Sequence, residues 1–251
     1  MSAPLGDRSP AEPRVSLVLL PGLDGSGVLF RPLIRCLSPE LRPIIVAFPP
    51  DRMLGYDQLL PLVLARLPAS EPFVLLGESF SGPLALMAAA TRPANLRGLI
   101  LCATFVRNPI RFCPSGLGLL AHPAIFRLFP ALSRVKSILR SGENRELPAL
   151  SAEALSQVRP EVLAHRVRAV LQVNAVEQLR SCAVPVLYLL AGRDHVVRPH
   201  NAREICAVLP AVRVVRMQSS HWLLQTCPDA AAHEIATFVH DIHQNSFAAV
   251  F

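Results

Sequence analysis

The sequence has little that would suit a nucleic acid or a membrane. Of its 25 basic residues only Lys136 is a lysine, and the arginines are scattered singly along the chain. The formal net charge is +7, but single charges without a basic stripe are typical of a solvated surface, so we expect no nucleic-acid partner. No stretch of about 18 uninterrupted apolar residues occurs, which argues against a membrane-spanning helix.

The sequence also lacks the patterns of metal and cofactor sites. Its cysteines form no C-x-x-C pair and have no metal-ligand spacing with histidine. A possible histidine pair, His240 and His243 on the last predicted helix, has no further ligand nearby, so we predict no metal site. No dinucleotide fingerprint occurs, and we expect no cofactor. The six cysteines are Cys36, Cys102, Cys113, Cys182, Cys206 and Cys227.

The first residues lack the apolar core of a secretory signal. Together with cysteines that suit a reduced compartment, this predicts a cytoplasmic protein. The sequence leaves the oligomeric state open.

What the chain does contain is an alternation of strand-like and helix-like segments. The 251 residues, of which 51% are hydrophobic, are enough for one large core. Apolar runs such as "VSLVLL" alternate with helical patterns, which predicts an α/β fold with a mostly parallel sheet of about six strands and helices on both faces. We predict an extended or disordered lead at 1–14, a core at 15–105 and 183–245, and a helical insertion at 106–182.

One short segment, "FVLLGESFSG" at residues 73–82, predicts a very tight turn. Phe73 to Leu76 are apolar without alternation, which fits a strand covered on both faces. The following "PLALMAAATRP" is rich in helix formers and is stopped by Pro93. A residue between such a strand and helix is often strained and needs small neighbours, so the side chain of Ser79 is predicted to project as a candidate nucleophile. Ser81 is a second candidate.

The ends of the other predicted strands supply an acid and a base. Asp194 lies in "AGRDHVV" after one strand, and His221 lies in "QSSHW" after the last strand. The carboxyl ends of parallel strands are where such a sheet carries its chemistry. His195 and His200 are rival bases, although His195 adjoins Asp194 and is expected to point away from it.

These motifs resemble the α/β-hydrolase superfamily, and in particular small bacterial serine carboxylesterases with a helical cap. The resemblance rests on the "PG" turn after the first strand, the "GESFSG" turn, "AGRDHVV" and "SSHWLLQTCPDAAAHEIATFV", in the order of that family. It implies that Ser79 is the nucleophile, His221 the base and Asp194 its partner. It also implies that the insertion at 106–182 covers the site as a cap.

The sequence departs from the family pattern at two positions beside the nucleophile. Ser81 replaces the usual glycine, and Glu78 stands where histidine is frequent. The short lead at 1–14 leaves little room for the customary first hairpin. We therefore expect a sheet that opens directly with the strand leading to Pro21.

An oxyanion site needs two backbone N–H donors. The resemblance implies that Leu23 and Phe80 supply them. We call residues 22–25 the oxyanion loop. Because a carboxylate would oppose a developing oxyanion, we predict that the side chain of Asp24 caps this loop or the next helix, and Ser26 is expected to be a helix N-cap.

The substrate is predicted to be a small ester with an uncharged, apolar acyl or alcohol group. Leucines and phenylalanines of the insertion carry no cluster of fixed charge, and its prolines suggest a bounded pocket. The resemblance favours a carboxylesterase acting on short to medium acyl chains. An acyltransferase using the same residues, or a ligand-binding member of the fold, remains open. The predicted substrate contacts are Gly22, Phe105, Phe126, Phe129 and Trp222.

Overall fold

The computed structural model describes residues 15–110, 123 and 146–248. Within these residues, six strands form one sheet in which every pairing is parallel. The predicted α/β fold with about six parallel strands is therefore confirmed. The strands are β1 (Val15–Leu20), β2 (Leu41–Ile45), β3 (Phe73–Glu78), β4 (Leu96–Cys102), β5 (Val186–Ala191) and β6 (Arg213–Met217).

Helices connect these strands and cover both faces of the sheet. A 3-10 turn at Val28–Phe30 precedes α1, and here Ser26 Oγ accepts the N–H of Val28 at 3.2 Å, although Gly27 is the residue directly before the turn. The remaining elements are α1 (Arg31–Cys36), α2 (Tyr56–Leu64), α3 (Ser81–Ala90), α4 (Glu146–Ser156), α5 (Pro160–Gln172), α6 (Val176–Arg180), α7 (His200–Val208), α8 (Leu223–Thr226) and α9 (Pro228–Ala248).

The strand order places a change of direction at the centre of the sheet. The order is β2-β1-β3-β4-β5-β6, so the chain runs outward from β1 on one side and from β3 on the other. Loops that leave β1 and β3 therefore diverge, and the crevice between them is the usual site of ligand binding and catalysis in open α/β sheets. Here these loops are the oxyanion loop and the turn after Glu78.

Two hydrophobic cores sandwich the sheet. Alternate residues of β1 point to opposite faces, with Val18 and Leu20 in one core and Leu17 and Leu19 in the other. The first core packs against α2, α3, α6 and α7, and the second packs against α1, α8 and α9. Because β1 and β3 are buried along their whole length, the residues that follow them start from rigid positions.

The described part of the predicted insertion lies between β4 and β5 and comprises α4, α5 and α6. Leu150 and Ala154 of α4 pack on Val28, and a small cluster at the start of α5 packs on Leu23. Helix α4 thus packs on the 3-10 turn, and the start of α5 packs on the oxyanion loop. That the whole of 106–182 forms a cap remains a prediction. Among the described residues, no helix combines the length and apolarity needed to span a bilayer.

Candidate active site

The segment that joins the end of β3 to the start of α3, residues 77–82, has the strained geometry predicted from its small residues, and we call it the elbow. Ser79 has a φ of 49°, in the left-handed region that side chains other than glycine seldom adopt. The turn is so tight that a Cβ added to Gly77 would lie 2.6 Å from the carbonyl oxygen of Ser81. A Cβ on Gly82 would lie 2.0 Å from Thr104 Oγ1. Both positions therefore exclude larger residues.

Hydroxyl groups from neighbouring elements hold the elbow in this conformation. Thr104 Oγ1 donates to the carbonyl oxygen of Ser79 at 2.5 Å, and Tyr56 donates to that of Phe80 at 2.9 Å. Tyr188 in turn donates to the carbonyl oxygen of Thr104 at 2.8 Å. Burial raises the pKa of Tyr56 and of Tyr188, so both hydroxyls remain protonated donors. These bonds offset the cost of the strained backbone at Ser79.

The structure brings Ser79, His221 and Asp194 into one chain of hydrogen bonds. His221 Nε2 lies 3.0 Å from Ser79 Oγ, and His221 Nδ1 lies 2.8 Å from Asp194 Oδ2. The Asp194 side chain is 1% exposed, whereas that of His221 is 13% exposed. A buried carboxylate fixes the ring orientation, and the other ring nitrogen is then free to accept a proton from the hydroxyl.

Backbone hydrogen bonds tie together the two loops that carry Asp194 and His221. Gly192 N donates to the Met217 carbonyl at 2.7 Å, and Arg193 N donates to that of Ser219 at 2.8 Å. The second carboxylate oxygen of Asp194 accepts the N–H groups of Val196 and Val197 at 2.7 and 2.8 Å. The carboxylate is consequently fixed from two sides, which keeps it directed at the imidazole.

The oxyanion loop lies directly beside the elbow. A Cβ on Gly22 would lie 4.0 Å from Ser79 Cβ, so a carbonyl attacked by Ser79 would also meet this loop. Among the described residues, neither the Leu23 N–H nor the Phe80 N–H has a backbone acceptor. Backbone N–H groups without an acceptor near the attacking hydroxyl are what an oxyanion site requires, so these two groups remain its predicted donors.

Asp24 adopts the predicted position, since its side chain turns back into its own loop. Asp24 Oδ2 accepts the Ser26 N–H at 2.8 Å and the Ser26 hydroxyl at 2.5 Å. The carboxylate is 6% exposed. Its charge is therefore used in hydrogen bonds to Ser26, the residue directly after the loop.

The rival residues lie outside this hydrogen-bond chain. Ser81 is fully buried, and its hydroxyl donates to the carbonyl oxygen of Pro21. His195 is exposed and His200 lies at the start of α7. In this geometry Ser79 and His221 are the pair within hydrogen-bond reach of each other.

The predicted substrate contacts are distributed differently. Gly22 faces Ser79, as described above, and Trp222 is 39% exposed with its ring edge-on to that of His221. Phe105 is 2% exposed and packs in the first hydrophobic core, so a direct substrate contact from its side chain finds no support in its burial. Phe126 and Phe129 lie outside the described residues.

Sequence patterns did not reveal a buried polar pair under the site. Glu78 Oε1 accepts a hydrogen bond from Gln225 Nε2 at 2.9 Å, while Glu78 Oε2 and Gln225 Oε1 have no partner among the described residues. Burial raises the pKa of Glu78 from its ordinary value of 4.5 to about 7, and the Gln225 hydrogen bond opposes this shift. A glutamine in a helix after His221 carries no signal by which sequence alone could have identified the contact.

The described side chains that meet at this site form a hydrogen-bonded triad and not a cluster of metal ligands. Among residues 15–110 and 146–248, no three histidine, cysteine or acidic side chains come together as a metal site. A hydroxyl hydrogen-bonded to a histidine that a carboxylate holds in place is an arrangement that can carry out nucleophilic acyl transfer.

The family described as "Serine aminopeptidase, S33" matches residues 56–246, most of the chain. The protein belongs to this family of α/β hydrolases. The match spans β3, β5, β6 and the loops after them, so it covers Ser79, Asp194 and His221.

Two curated relatives are similar over most of the chain. One is a polyketide synthase, ThaQ, from Burkholderia thailandensis, which is 26% identical over 90% of this chain. The chain spans only 12% of that relative's length. The other is a pimeloyl-[acyl-carrier protein] methyl ester esterase from Xanthomonas oryzae pv. oryzae, which is 29% identical over 78% of this chain and 83% of the relative.

Solved structures agree with this family assignment at the level of the fold. A carboxylesterase structure from Nitrososphaera gargenis is 17% identical, covers 92% of both chains and gives a TM-score of 0.73. The likeness shows the fold, and the family match shows that the chain is an α/β hydrolase.

Proposed function

We propose that this α/β hydrolase cleaves carboxylic esters with short to medium acyl chains, through an acyl-enzyme formed on Ser79. The observation that carries the proposal is the unbroken path from Ser79 Oγ through His221 to Asp194, with distances of 3.0 and 2.8 Å. The methyl ester esterase among the relatives supports the same reaction class. The substrate is a small ester, and the chemistry needs no cofactor.

In the acylation step, Ser79 Oγ forms a bond to the acyl carbon while His221 Nε2 takes the hydroxyl proton. The carbonyl oxygen becomes an oxyanion that the N–H groups of Leu23 and Phe80 stabilise. The bond from the acyl carbon to the alcohol oxygen then breaks, and His221 returns the proton to the leaving alcohol. Asp194 stabilises the imidazolium during this interval.

In the deacylation step, water takes the place of the alcohol. His221 Nε2 removes a proton from the water, the water oxygen bonds to the acyl carbon, and the bond from that carbon to Ser79 Oγ breaks. The proton returns to Ser79 and the acid is released. Hydrolysis therefore consumes one water and regenerates the free serine.

Acyl preference depends on how much apolar wall surrounds the acyl chain. Each buried methylene contributes about 0.8 kcal/mol, or roughly fourfold in kcat/KM, until the pocket is full. The insertion is proline-rich, with Pro109, Pro114, Pro123 and Pro130, and it carries Phe126 and Phe129. This composition suggests a bounded pocket with no long open groove.

The test is a series of p-nitrophenyl esters of increasing acyl length, with the Ser79→Ala variant as the measure of background hydrolysis. We expect kcat/KM to rise over the first few acyl carbons and then fall, without a jump when the substrate forms droplets. A steady rise to long chains would contradict the bounded pocket. No release of p-nitrophenol from any ester would contradict the esterase proposal, and a new ester formed with an added alcohol would indicate an acyltransferase.

A further inference from the structure

Arg166 is the largest fully buried side chain of the described protein. It projects from α5, between β4 and β5, yet its partners lie more than 100 residues away in sequence. Nη1 donates to the carbonyl oxygens of Leu23 and Asp24 at 2.9 and 2.8 Å, and Nη2 donates to that of Pro49 at 3.0 Å. One guanidinium group therefore holds two consecutive carbonyls of the oxyanion loop.

The oxyanion loop is shaped to receive this guanidinium group. Gly25 has a φ of 73°, and a Cβ there would lie 2.4 Å from Arg166 Nη1. Any larger residue at this position would both strain the backbone and displace the arginine. On its other side, the guanidinium lies 5.6 Å from the ring centre of Phe48, within cation–π range.

The arginine stays charged in this environment. Burial lowers its pKa to about 10, and Asp24 opposes that shift. At neutral pH the group is therefore a cation whose neighbours are carbonyl dipoles. Three carbonyl partners and one nearby carboxylate are needed to offset the cost of burying this charge.

We propose that Arg166 is a positioning residue that fixes the oxyanion loop so that the Leu23 N–H meets the developing oxyanion, an inference that rests on the proposed function. With the carbonyls of Leu23 and Asp24 fixed, the peptide planes next to the Leu23 N–H cannot turn freely. The cation that binds these carbonyls also adds a favourable field at the oxyanion. The insertion thus contributes to catalysis through the loop, without touching the substrate at this residue.

The test compares three variants. Arg166→Met removes the charge and keeps an apolar stem, and Arg166→Lys keeps a charge but cannot form the same forked contacts. Arg159→Met is the matched control, because Arg159 is an exposed arginine at the start of the same helix. For each variant we would measure kcat and KM, the Ki of a trifluoromethyl ketone that places an oxyanion in the same site, and amide hydrogen exchange across residues 22–25.

We expect Arg166→Met to lower kcat about 30- to 100-fold while KM changes less than about threefold, since misplacing one donor costs less than the 100- to 1,000-fold loss on removing it. The Ki of the ketone should rise by the same factor as kcat/KM falls, and exchange at residues 22–25 should accelerate. Arg166→Lys should show smaller changes in the same direction in kcat, in the Ki of the ketone and in exchange. If Arg166→Met does not fold, Arg166→Lys tests the positioning role in its place. Arg159→Met should match the wild type.

The inference is overturned if the folded Arg166 variants keep kcat within about twofold of the wild type, or if their entire loss lies in KM or in the folded fraction. That result differs from a failure of the proposed function, in which the wild type itself would hydrolyse no ester. The exchange measurement reports on the loop in either case. Unchanged exchange at residues 22–25 in Arg166→Met would contradict the positioning role directly.

Discussion

The elbow and helix α5 build the same site in different ways. In the elbow, backbone geometry dictates residue type: Ser79 has a φ of 49°, and Gly77 and Gly82 lie where no Cβ fits. In α5, one long side chain crosses a packed interface and ends on backbone carbonyls. A turn that requires small residues is visible in a sequence, whereas a contact between distant segments is not.

Two arginines of α5 show why a contact between distant segments is not visible in a sequence. Arg166 and Arg168 lie two positions apart in the same helix, and both have ordinary helix propensity. Arg166 is fully buried against the oxyanion loop, while Arg168 is only partly buried. Their environments follow from how α5 packs on the loop after β1. Local pattern therefore locates the predicted nucleophile but does not locate the buried arginine that packs on the oxyanion loop.

The largest effect is expected at the elbow. Ser79→Ala should lower kcat by about a thousandfold or more, because no nucleophile remains. The fold should persist, since the lost hydroxyl lies on a half-buried side chain. Ser81→Ala is the matched control, and its kcat should stay far above that of Ser79→Ala. If Ser79→Ala retained activity and Ser81→Ala lost it, the assignment of Ser79 would be wrong and Ser81 would be the nucleophile.

The base is expected to show a similarly large effect. His221→Asn should also lower kcat by about a thousandfold, because the proton of Ser79 loses its acceptor. His195→Asn replaces an exposed histidine on the acid loop and should change kcat less than twofold. Steady-state kinetics of the two variants, compared with the wild type, would separate them. The reverse order of effects would contradict the choice of His221.

A smaller effect, in stability and not in rate, is expected from the buried acid of the elbow. Because the folded pKa of Glu78 is about 7 and its ordinary value is 4.5, the folded state binds the extra proton between these values. Stability from this group is fully present below pH 4.5 and is lost as the pH rises through 7. A shift of this size corresponds to roughly 3 kcal/mol.

Glu78→Gln mimics the protonated acid, so it should match the wild type near pH 4.5 and exceed its free energy of unfolding by up to roughly 3 kcal/mol at pH 8. Urea unfolding at the two pH values measures this. Glu153→Gln, at an exposed ion pair with Arg31, is the control and should show little pH dependence of its own. An equal difference at both pH values would mean that Glu78 is already ionised in the folded protein at low pH.

The smallest effect concerns the bonds that hold the elbow. Tyr56→Phe removes the hydroxyl that donates to the Phe80 carbonyl at 2.9 Å but keeps the ring stacked 4.8 Å from that of Phe80. The free energy of unfolding should fall by about 1 kcal/mol, the usual value of one hydrogen bond. Thermal unfolding measures the loss. An unchanged melting temperature would mean that the bond contributes nothing to the strained turn.

The sequence predicted the parallel sheet and the position of Asp24, because each depends on local pattern or on the chemistry of one loop. It also indicated the three side chains now seen in one hydrogen-bond chain, since residues after parallel strands meet at one edge. It missed Arg166 and Gln225, which matter through contacts across 100 or more residues. It placed Phe105 in the substrate site, whereas packing buries that ring in the core.

In the proposed reaction, Ser79 carries the acyl group during turnover. The most direct measurement treats the wild type with a fluorophosphonate, which loses fluoride as its phosphorus bonds to an activated serine, and locates the adduct by peptide fragmentation. We predict one adduct on Ser79, complete loss of esterase activity as it forms, and no adduct in His221→Asn over the same time. An adduct on Ser81, or full inactivation without modification of Ser79, would contradict the account.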